Sequence, residues 1–382
     1  MICFDNAATA FPKPEAVIRA VTDQLANVSG NAGRGAHGGA MRAAEEVYAC
    51  RARAADLFGA PSPARVVFTA GATMALNMAV KGSVSPGDHV LLSDLEHNAV
   101  FRPVHALARA GKITYDVFPT FAADPTATPE RILRGIEKRV RPNTRLLVCT
   151  HASNVCSAVL PVREIGALCR ARGIRFVVDA AQSAGHLPVR ADDLGAWAVC
   201  VPGHKGLLGP QGVGMMILGE NADPEPILEG GSGVRSLDPA MPPDPPERYE
   251  AGTLPLPAIA GLRAGMEAVE KMGLPTVRAH EIALWERLYE QLRTVRGLTV
   301  LAPHVPGSVL SFHAGRTPSE TVAAALDERG FAVRAGFHCA ALAHRTLGTP
   351  RGGAVRVSFG PENTAGEVDA LAGAIREILA RG

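Results

Sequence analysis

The apolar positions in the central part of the chain follow two alternating patterns. Between residues 66 and 218, short runs rich in β-branched residues are separated by stretches whose apolar residues recur at helical spacing. The stretches predict helices, for example at 73–81, 101–110 and 162–172. The short runs predict strands at 66–69, 90–93, 113–118, 146–150, 176–179, 198–201 and 214–218. This alternation predicts an α/β fold with a large, doubly wound and mainly parallel sheet.

The pattern changes after this region. Residues 221–257 are rich in Pro and Gly and contain Asp244-Pro-Pro, which suits neither a helix interior nor a central strand. Beyond them, helical runs at 257–271, 319–329 and 365–380 mix with short strands at 298–301, 308–312 and 355–359. We therefore predict a large α/β domain at residues 16–256, and a smaller α+β domain formed by residues 257–382 together with residues 1–15.

Composition narrows the class of protein. The 382 residues are 47% apolar and 20% charged, which is enough to bury a sizeable core. The 39 basic and 37 acidic residues nearly balance without a local basic run, so we expect no nucleic-acid partner. We expect no membrane span and no secretory signal. Seven cysteines without a Cys-x-x-Cys pair favour reduced thiols, no metal site and a cytoplasmic location.

Polar residues stand at the ends of five of the predicted strands. Open α/β sheets bind ligands at the carboxyl ends of their strands, so these residues are expected to share one site. Loops are generally polar, which accounts for one or two of the ends, but not for an Asp closing an apolar strand and a lone Lys in a glycine-rich loop. The five ends read Thr69-Ala-Gly71-Ala-Thr73, Ser93-Asp-Leu-Glu-His97, Thr150-His-Ala-Ser-Asn154, Asp179-Ala-Ala-Gln182 and Gly203-His-Lys205.

Asp179 and Lys205 together indicate a chemistry. Asp179 could pair with a cationic ring nitrogen, and Lys205 suits an imine-forming amine, an arrangement typical of a pyridoxal phosphate site. Three of the polar residues also have a purely structural interpretation. Asp179 could be a buried helix cap and His97 an ordinary loop histidine. Thr73 could be the N-cap of the helix at 73–81, and for Thr73 taken alone this structural interpretation is the favoured one.

The ordered set of motifs resembles the class V aminotransferase-fold, pyridoxal phosphate-dependent enzymes, specifically the cysteine desulfurase and selenocysteine lyase group. The resemblance implies the fold of a PLP-dependent transferase of fold type I. The matching motifs are Phe4-Asp-Asn-Ala-Ala-Thr, Phe68-Thr-Ala-Gly-Ala-Thr, Glu96-His-Asn-Ala, Thr150-His-Ala-Ser-Asn-Val, Val178-Asp-Ala-Ala-Gln, Gly203-His-Lys, Tyr249-Glu-Ala-Gly-Thr and Arg334-Ala-Gly-Phe-His-Cys339.

The resemblance also implies roles for individual residues. Lys205 would bond to pyridoxal 5'-phosphate, Asp179 would hold the pyridinium and His97 would stack on the ring. The remaining cofactor-binding residues would be Ala72, Thr73, Gln182, His204 and, from the partner subunit of a homodimer, Thr253. The substrate-binding residues would be Asn154, Arg334 and Arg356, the last as a planar fork for the substrate carboxylate.

Cys339 distinguishes between reactions. Its place after Arg334-Ala-Gly-Phe-His338 matches the family's sulfur-accepting cysteine, which implies a desulfurase that converts L-cysteine to L-alanine, leaves a persulfide and passes sulfur to an acceptor protein. We expect His338 to help by lowering the pKa of the thiol. Cys156 is a minor rival nucleophile, whereas four cysteines (50, 149, 169 and 200) are expected in the core.

Other functions stay open on the sequence. Several positions depart from the family pattern, namely Ala72, Pro202, Leu254-Pro255 and Ala341. These departures leave room for an aminotransferase, a C–S lyase or a selenocysteine lyase that does not use the thiol. A non-catalytic relative and a Cys–His hydrolase built on Cys339 and His338 are weaker alternatives.

Overall fold

The computed structural model describes residues 1–33, 35–349 and 351–380. The strands in these residues are β1 (Ile2–Cys3), β2 (Val66–Thr69), β3 (His89–Ser93), β4 (Thr114–Phe118), β5 (Thr144–Thr150), β6 (Arg175–Asp179), β7 (Ala198–Pro202), β8 (Gly214–Leu218), β9 (Leu298–Val300), β10 (Val309–Ala314), β11 (Phe331–Ala332), β12 (Arg334–Gly336) and β13 (Ala354–Ser358). The helices are α1 (Glu15–Asn27), α2 (Gly38–Phe58), α3 (Ala72–Lys81), α4 (Asn98–Arg109), α5 (Pro129–Glu137), α6 (Val162–Ala171), α7 (Ala191–Leu194), α8 (Leu256–Met272), α9 (Leu274–Leu292), α10 (Ser319–Asp327), α11 (Ala341–Thr346) and α12 (Ala365–Ala380).

Seven strands form the larger sheet, in the order β2-β8-β7-β6-β5-β3-β4. Strands β3 to β7 pair in parallel, whereas β8 runs antiparallel to both of its neighbours. Helices α3 and α4 cover one face, and α2, α6 and α8 cover the other. The predicted α/β class with a doubly wound, mainly parallel sheet is confirmed, because apolar runs buried on both faces require helices on both sides.

A second sheet of four antiparallel strands, β12-β13-β10-β9, follows in the carboxyl-terminal part of the chain. Its core is shared with α9, α10 and α12. Helix α8 instead packs its apolar residues into the core of the larger sheet. The predicted boundary between residues 256 and 257 stays a prediction, and residues 350, 381 and 382 of the predicted small domain lie outside the described residues.

The first residues of the chain cross between the two sheets. Strand β1 pairs in parallel with β11, and Phe4 is buried in the core around the second sheet. The Ala7 amide then donates to Ser358 Oγ at 2.9 Å, and the Ala10 amide donates to the His204 carbonyl at 3.0 Å. Residues 4–10 therefore connect β13 with the loop that carries Lys205.

Among the helices that the described residues form, none is both long and apolar enough to span a membrane.

Candidate active site

A cavity of about 440 Å³ opens where β5, β6 and β7 end and α3 and α4 begin. Because parallel strands end at the same edge of the sheet, residues distant in sequence meet here. All five polar strand ends predicted from the sequence contribute to its lining. The predicted site residues that line it are Ala72, Thr73, His97, Asn154, Asp179, Gln182, His204 and Lys205.

Asp179 stands at the end of the buried strand β6, between β5 and β7, and its side chain is 2% exposed. Its Oδ1 accepts the Ala181 amide at 2.9 Å. Burial raises the pKa of the Asp179 carboxyl, while the Ala181 amide and the charge of Lys205 act against this rise. The carboxyl group is thus held rigidly at the floor of the cavity and next to a cation.

A second carboxyl group, that of Glu96, lies fully buried close to Asp179. One oxygen accepts the Thr150 amide at 2.8 Å and the Ser93 hydroxyl, and the other oxygen has no partner among the described residues. Burial raises the pKa of Glu96 to about 8, and the negative charge of Asp179 adds to the rise. Glu96 belongs to the sequence motif Glu96-His-Asn-Ala, but no role was predicted for it. Its burial depends on the loop after β3 folding back over Thr150, which no local pattern reveals.

His97 is the N-cap of α4, and its Nδ1 accepts the Ala99 amide at 3.0 Å. The ring therefore carries its proton on Nε2. Burial lowers the pKa of His97 to about 4, and the nearby charges of Lys205, Arg334 and Arg356 lower it further. The interpretation of His97 as a loop histidine is incomplete, since a neutral imidazole at a helix end forms one wall of the cavity.

Lys205 lies half-buried in the loop after β7, opposite Asp179. Burial lowers the pKa of Lys205 to about 8; the charge of Asp179 raises it, and those of Arg356 and Arg334 lower it. The buried Nδ1 of its neighbour His204 has no hydrogen-bond partner within the part of the chain that the structure describes. Burial also lowers the pKa of His204 to about 4, assisted by the charges of Lys205 and Lys13. The loop thus presents a deprotonatable amine and an unpaired imidazole nitrogen.

Helix α3 begins at Ala72, with Gly71 as its N-cap and no side-chain cap. The interpretation of Thr73 as the N-cap is therefore wrong, because the N-cap lies two residues earlier, at Gly71. Gly71 adopts a φ of 148°, which a residue with a side chain rarely reaches. The first amides of α3 and the exposed Thr73 side chain remain available at the cavity wall.

Arg356 does not line the cavity, but it lies beside it on β13 with 1% of its side chain exposed. Its Nη2 donates to Asp5 Oδ1 at 2.7 Å and its Nη1 donates to the Asn154 carbonyl at 3.2 Å. Its buried Nε has no partner in the described chain. The ion pair with Asp5 was not anticipated from the sequence, because 351 positions separate the two residues.

Cys339 is exposed in the loop between β12 and α11, and Arg334 Nη2 lies 4.0 Å from its sulfur. Two contacts tie this loop to the cavity: the Asn98 amide donates to the Cys339 carbonyl at 2.7 Å, and Asn154 Nδ2 donates to the His338 carbonyl at 2.8 Å. Cys339 thereby lies next to the residue that follows His97.

The expectation that His338 activates the thiol is wrong. Its Nδ1 hydrogen-bonds to His344 Nε2 at 3.2 Å and its Nε2 to the Arg334 carbonyl at 3.4 Å, so both ring nitrogens are occupied away from the sulfur. Burial lowers the pKa of His338 to about 3, and the charge of Arg356 contributes. The same contacts remove the basis for a Cys–His hydrolase.

The last two predicted cofactor-binding residues, Gln182 and Thr253, differ in burial and in their distance from the cavity. Gln182 lines the cavity, and its buried Nε2 donates to the Ala7 carbonyl at 3.0 Å. Thr253 is exposed and does not line the cavity; its Oγ1 accepts from Asn31 Nδ2 at 3.4 Å.

The rival nucleophile Cys156 is buried, and burial raises the pKa of its thiol. The four cysteines expected in the core are also buried. Within the described residues, no cluster of His, Cys, Asp and Glu could hold a metal ion.

A family model for class-V aminotransferases matches residues 2–371. The chain therefore belongs to the class-V aminotransferase family. This agrees with a cavity at the carboxyl edge of a mainly parallel sheet that contains an aspartate, a histidine and a lysine.

Several relatives and solved structures similar to this chain are called cysteine desulfurases. A probable cysteine desulfurase of Methanothermobacter thermautotrophicus is 33% identical over 386 residues, covering 99% of this chain and 94% of that protein. Another, of Mycolicibacterium paratuberculosis, is 34% identical over 100% of this chain, which spans only 56% of that protein's length. The apo cysteine desulfurase of Thermococcus onnurineus superimposes with a TM-score of 0.90 at 29% identity, covering 100% of this chain and 95% of that one. The cysteine desulfurase CsdA of Escherichia coli gives a TM-score of 0.86 at 26% identity, over 99% and 94% of the two chains.

Proposed function

We propose that this chain is a pyridoxal 5'-phosphate-dependent cysteine desulfurase, which converts L-cysteine to L-alanine and retains the sulfur on Cys339. The observation that carries the proposal is the meeting of Asp179, His97 and Lys205 in one cavity, with the Cys339 loop tied to the helix that His97 caps. The curated relatives and solved neighbours called cysteine desulfurases support the same activity.

The residues around the cavity fit this cofactor. Asp179 would hold the ring nitrogen, and His97 would lie against the ring. The unpartnered Nδ1 of His204 and the uncapped start of α3 offer hydrogen-bond donors to a phosphate. Pro202 and Ala72 supply no hydroxyl there, so the Thr73 side chain would carry more of the phosphate binding.

The cofactor, when bound, supplies an electron-accepting ring that stabilises negative charge at the substrate Cα. Asp179 would keep the ring nitrogen protonated, because a buried carboxylate binds a cation strongly. Lys205, whose pKa is lowered to about 8 by burial, is neutral often enough near neutrality to accept the Cα proton. Neutral His97 adds no positive charge beside Lys205.

Substrate recognition would rest on Arg356. With Asp5 and the Asn154 carbonyl each taking one N–H, the guanidinium keeps unused donors, including Nε, for a substrate carboxylate. Arg334, 4.0 Å from the sulfur of Cys339, would balance the charge of a thiolate or persulfide.

Sulfur transfer would take place at Cys339. Its thiolate forms an S–S bond to the substrate sulfur as the substrate's Cβ–S bond breaks, and the electron pair left on Cβ takes up a proton. L-cysteine and the enzyme thiol thus yield L-alanine and an enzyme persulfide. Cys156 is too deeply buried to replace it.

Three further elements belong to the proposal. Thr253, exposed and outside its own chain's cavity, would complete the phosphate site of the partner subunit in a homodimer. The exposed position of Cys339 suits delivery of sulfur to an acceptor protein. A cytoplasmic location stays a prediction from the sequence.

The test is a Cys339→Ser variant compared with a Cys156→Ser control. With L-cysteine, Cys339→Ser should retain the spectral change on substrate binding but lose sulfur transfer, because a serine hydroxyl does not accept sulfur as a persulfide. The control should retain both. Alkylation after wild-type turnover, followed by peptide mass analysis, should place the extra sulfur on Cys339. Full activity of Cys339→Ser would refute the mechanism, and assays of sulfide, pyruvate and ammonia would then choose among a selenocysteine lyase, a C–S lyase and an aminotransferase.

A further inference from the structure

Behind the Cys339 loop, three side chains form a buried row of hydrogen bonds. Thr349 Oγ1 lies 2.8 Å from His344 Nδ1, and His344 Nε2 lies 3.2 Å from His338 Nδ1. The row ends at the Arg334 carbonyl, 3.4 Å from His338 Nε2. We propose that His344 and Thr349 are positioning residues that hold Cys339 in place for sulfur transfer. The inference rests on the proposed role of Cys339.

The direction of the row follows from its last member. A carbonyl oxygen only accepts, so His338 carries its proton on Nε2 and accepts on Nδ1. His344 must then donate from Nε2 and accept on Nδ1, which leaves the Thr349 hydroxyl as the donor. Every nitrogen of both rings is satisfied when both rings are neutral. Burial lowers the pKa of His344 to about 4, which agrees with this assignment.

The loop needs such support because its backbone is strained. His338 and Cys339 both adopt left-handed conformations, with φ of 49° and 55°. Neither is a glycine, and each such residue costs about 1–2 kcal/mol. The His338 ring is 3% exposed and that of His344 is completely buried, and the two stack with centroids 5.4 Å apart. The row of side chains and the stacked rings offset the strain.

The strained turn determines where the sulfur lies. It directs the His338 ring inward and leaves the next side chain, Cys339, exposed beside Arg334. The carbonyls of the same two residues bind Asn154 and the start of α4. If the row is broken at His344 or Thr349, the left-handed pair can relax and the sulfur moves relative to the cavity.

Positioning of this kind affects one step of the reaction. In the proposed function the substrate is held by Lys205, Asp179 and Arg356, and among the described residues no hydrogen bond joins any of these three to His344 or Thr349. Attack by the thiolate depends on the position of its sulfur, and misplacement by 1 Å costs on the order of 100-fold in rate. A residue needed only for folding would not separate these two steps.

The experiment compares Thr349→Val, which removes one hydroxyl with little change in volume, with Thr349→Ser, which keeps it. His344→Phe removes both ring hydrogen bonds, and His313→Phe on β10 is the matched control. Two quantities are measured: kcat and KM with L-cysteine, and the alkylation rate of Cys339 in the purified protein without substrate, followed by peptide mass analysis.

For Thr349→Val and His344→Phe we expect kcat to fall on the order of 10- to 100-fold, with KM within about threefold of wild type. The alkylation rate of Cys339 should rise several-fold, because a relaxed loop exposes the thiol more. Thr349→Ser and His313→Phe should match wild type in both measurements.

Folded Thr349→Val protein with an unchanged kcat would overturn the proposal, whether or not its alkylation rate changes. If His344→Phe does not fold, the Thr349 pair still decides. The alkylation rate of Cys339 can be measured without turnover, so it tests the inference even if the protein is not a desulfurase. An alkylation rate in Thr349→Val equal to that of wild type would show that the row of hydrogen bonds does not hold the loop.

Discussion

Replacing Lys205 with Met should make the cofactor-free protein more stable near neutral pH. The lysine lies half-buried beside Arg356 and Arg334, and burial lowers its pKa from 10.5 to about 8. Protonation of Lys205 is therefore less favourable in the folded protein than in the unfolded chain, and this difference lowers the free energy of unfolding. A methionine keeps the length of the side chain and removes that cost.

The sign and size follow from linkage. Between about pH 8 and 10.5 the unfolded chain binds the Lys205 proton more strongly, so wild-type stability rises with pH, and below that window the whole cost is present. At ~1.4 kcal/mol per pKa unit, the cost is at most ~3.5 kcal/mol near pH 7. Water in the cavity screens part of it, so we expect Lys205→Met to gain ~1.5 kcal/mol near pH 7 and less than ~1 kcal/mol near pH 9.5.

Chemical denaturation of the cofactor-free proteins at the two pH values measures this difference. The control is Lys81→Met, which removes an exposed lysine at the end of α3 and should change stability by less than ~1 kcal/mol, equally at both pH values. A Lys205→Met protein that is less stable than wild type near pH 7, or whose gain does not shrink at the higher pH, would refute the reasoning.

Two further predictions concern single carboxylates. Asp179→Ala should fold with an unchanged circular dichroism spectrum but lose turnover by orders of magnitude, because nothing then holds the proton on the ring nitrogen; near-normal turnover would reduce Asp179 to a cap of the turn at Ala181. Asp5→Asn should raise KM for L-cysteine about tenfold with kcat nearly unchanged, since Arg356 loses the charged partner that orients its guanidinium. A lower KM in steady-state assays would mean instead that Asp5 competes with the substrate carboxylate.

Sequence patterns predicted the sheet and the convergence of the strand ends for a simple reason. An apolar run buried on both faces is a local signal, and the polar residue that ends it must lie at the edge of the sheet. Asp179 illustrates this, because the run before it ends one residue before the carboxylate. The same reasoning brought His97 and Lys205 to the cavity.

The remaining features depend on contacts between distant segments. The Asp5–Arg356 pair requires the amino-terminal segment to dock on β13, and the burial of Glu96 requires a loop to fold over Thr150. The predicted effect of His338 on the Cys339 thiol was wrong because the direction of the His338 ring depends on two consecutive left-handed residues. The sequence Phe-His-Cys does not indicate such a conformation. The position of His338 next to Cys339 in the sequence suggested that its ring lies near the sulfur, but the left-handed backbone directs the His338 ring away from it.

The attachment of residues 4–10 to β13 has a consequence for biosynthesis. The Ala7 amide and its partner Ser358 are 351 positions apart, so this segment is made long before β13, and closing so long a loop must wait for both ends. The seven-stranded sheet can fold earlier, since its last strand ends at Leu218. A nascent chain therefore carries Asp179 and Lys205 on a formed sheet while Arg356 is still missing. The site becomes complete only after β13 (Ala354–Ser358) has been made.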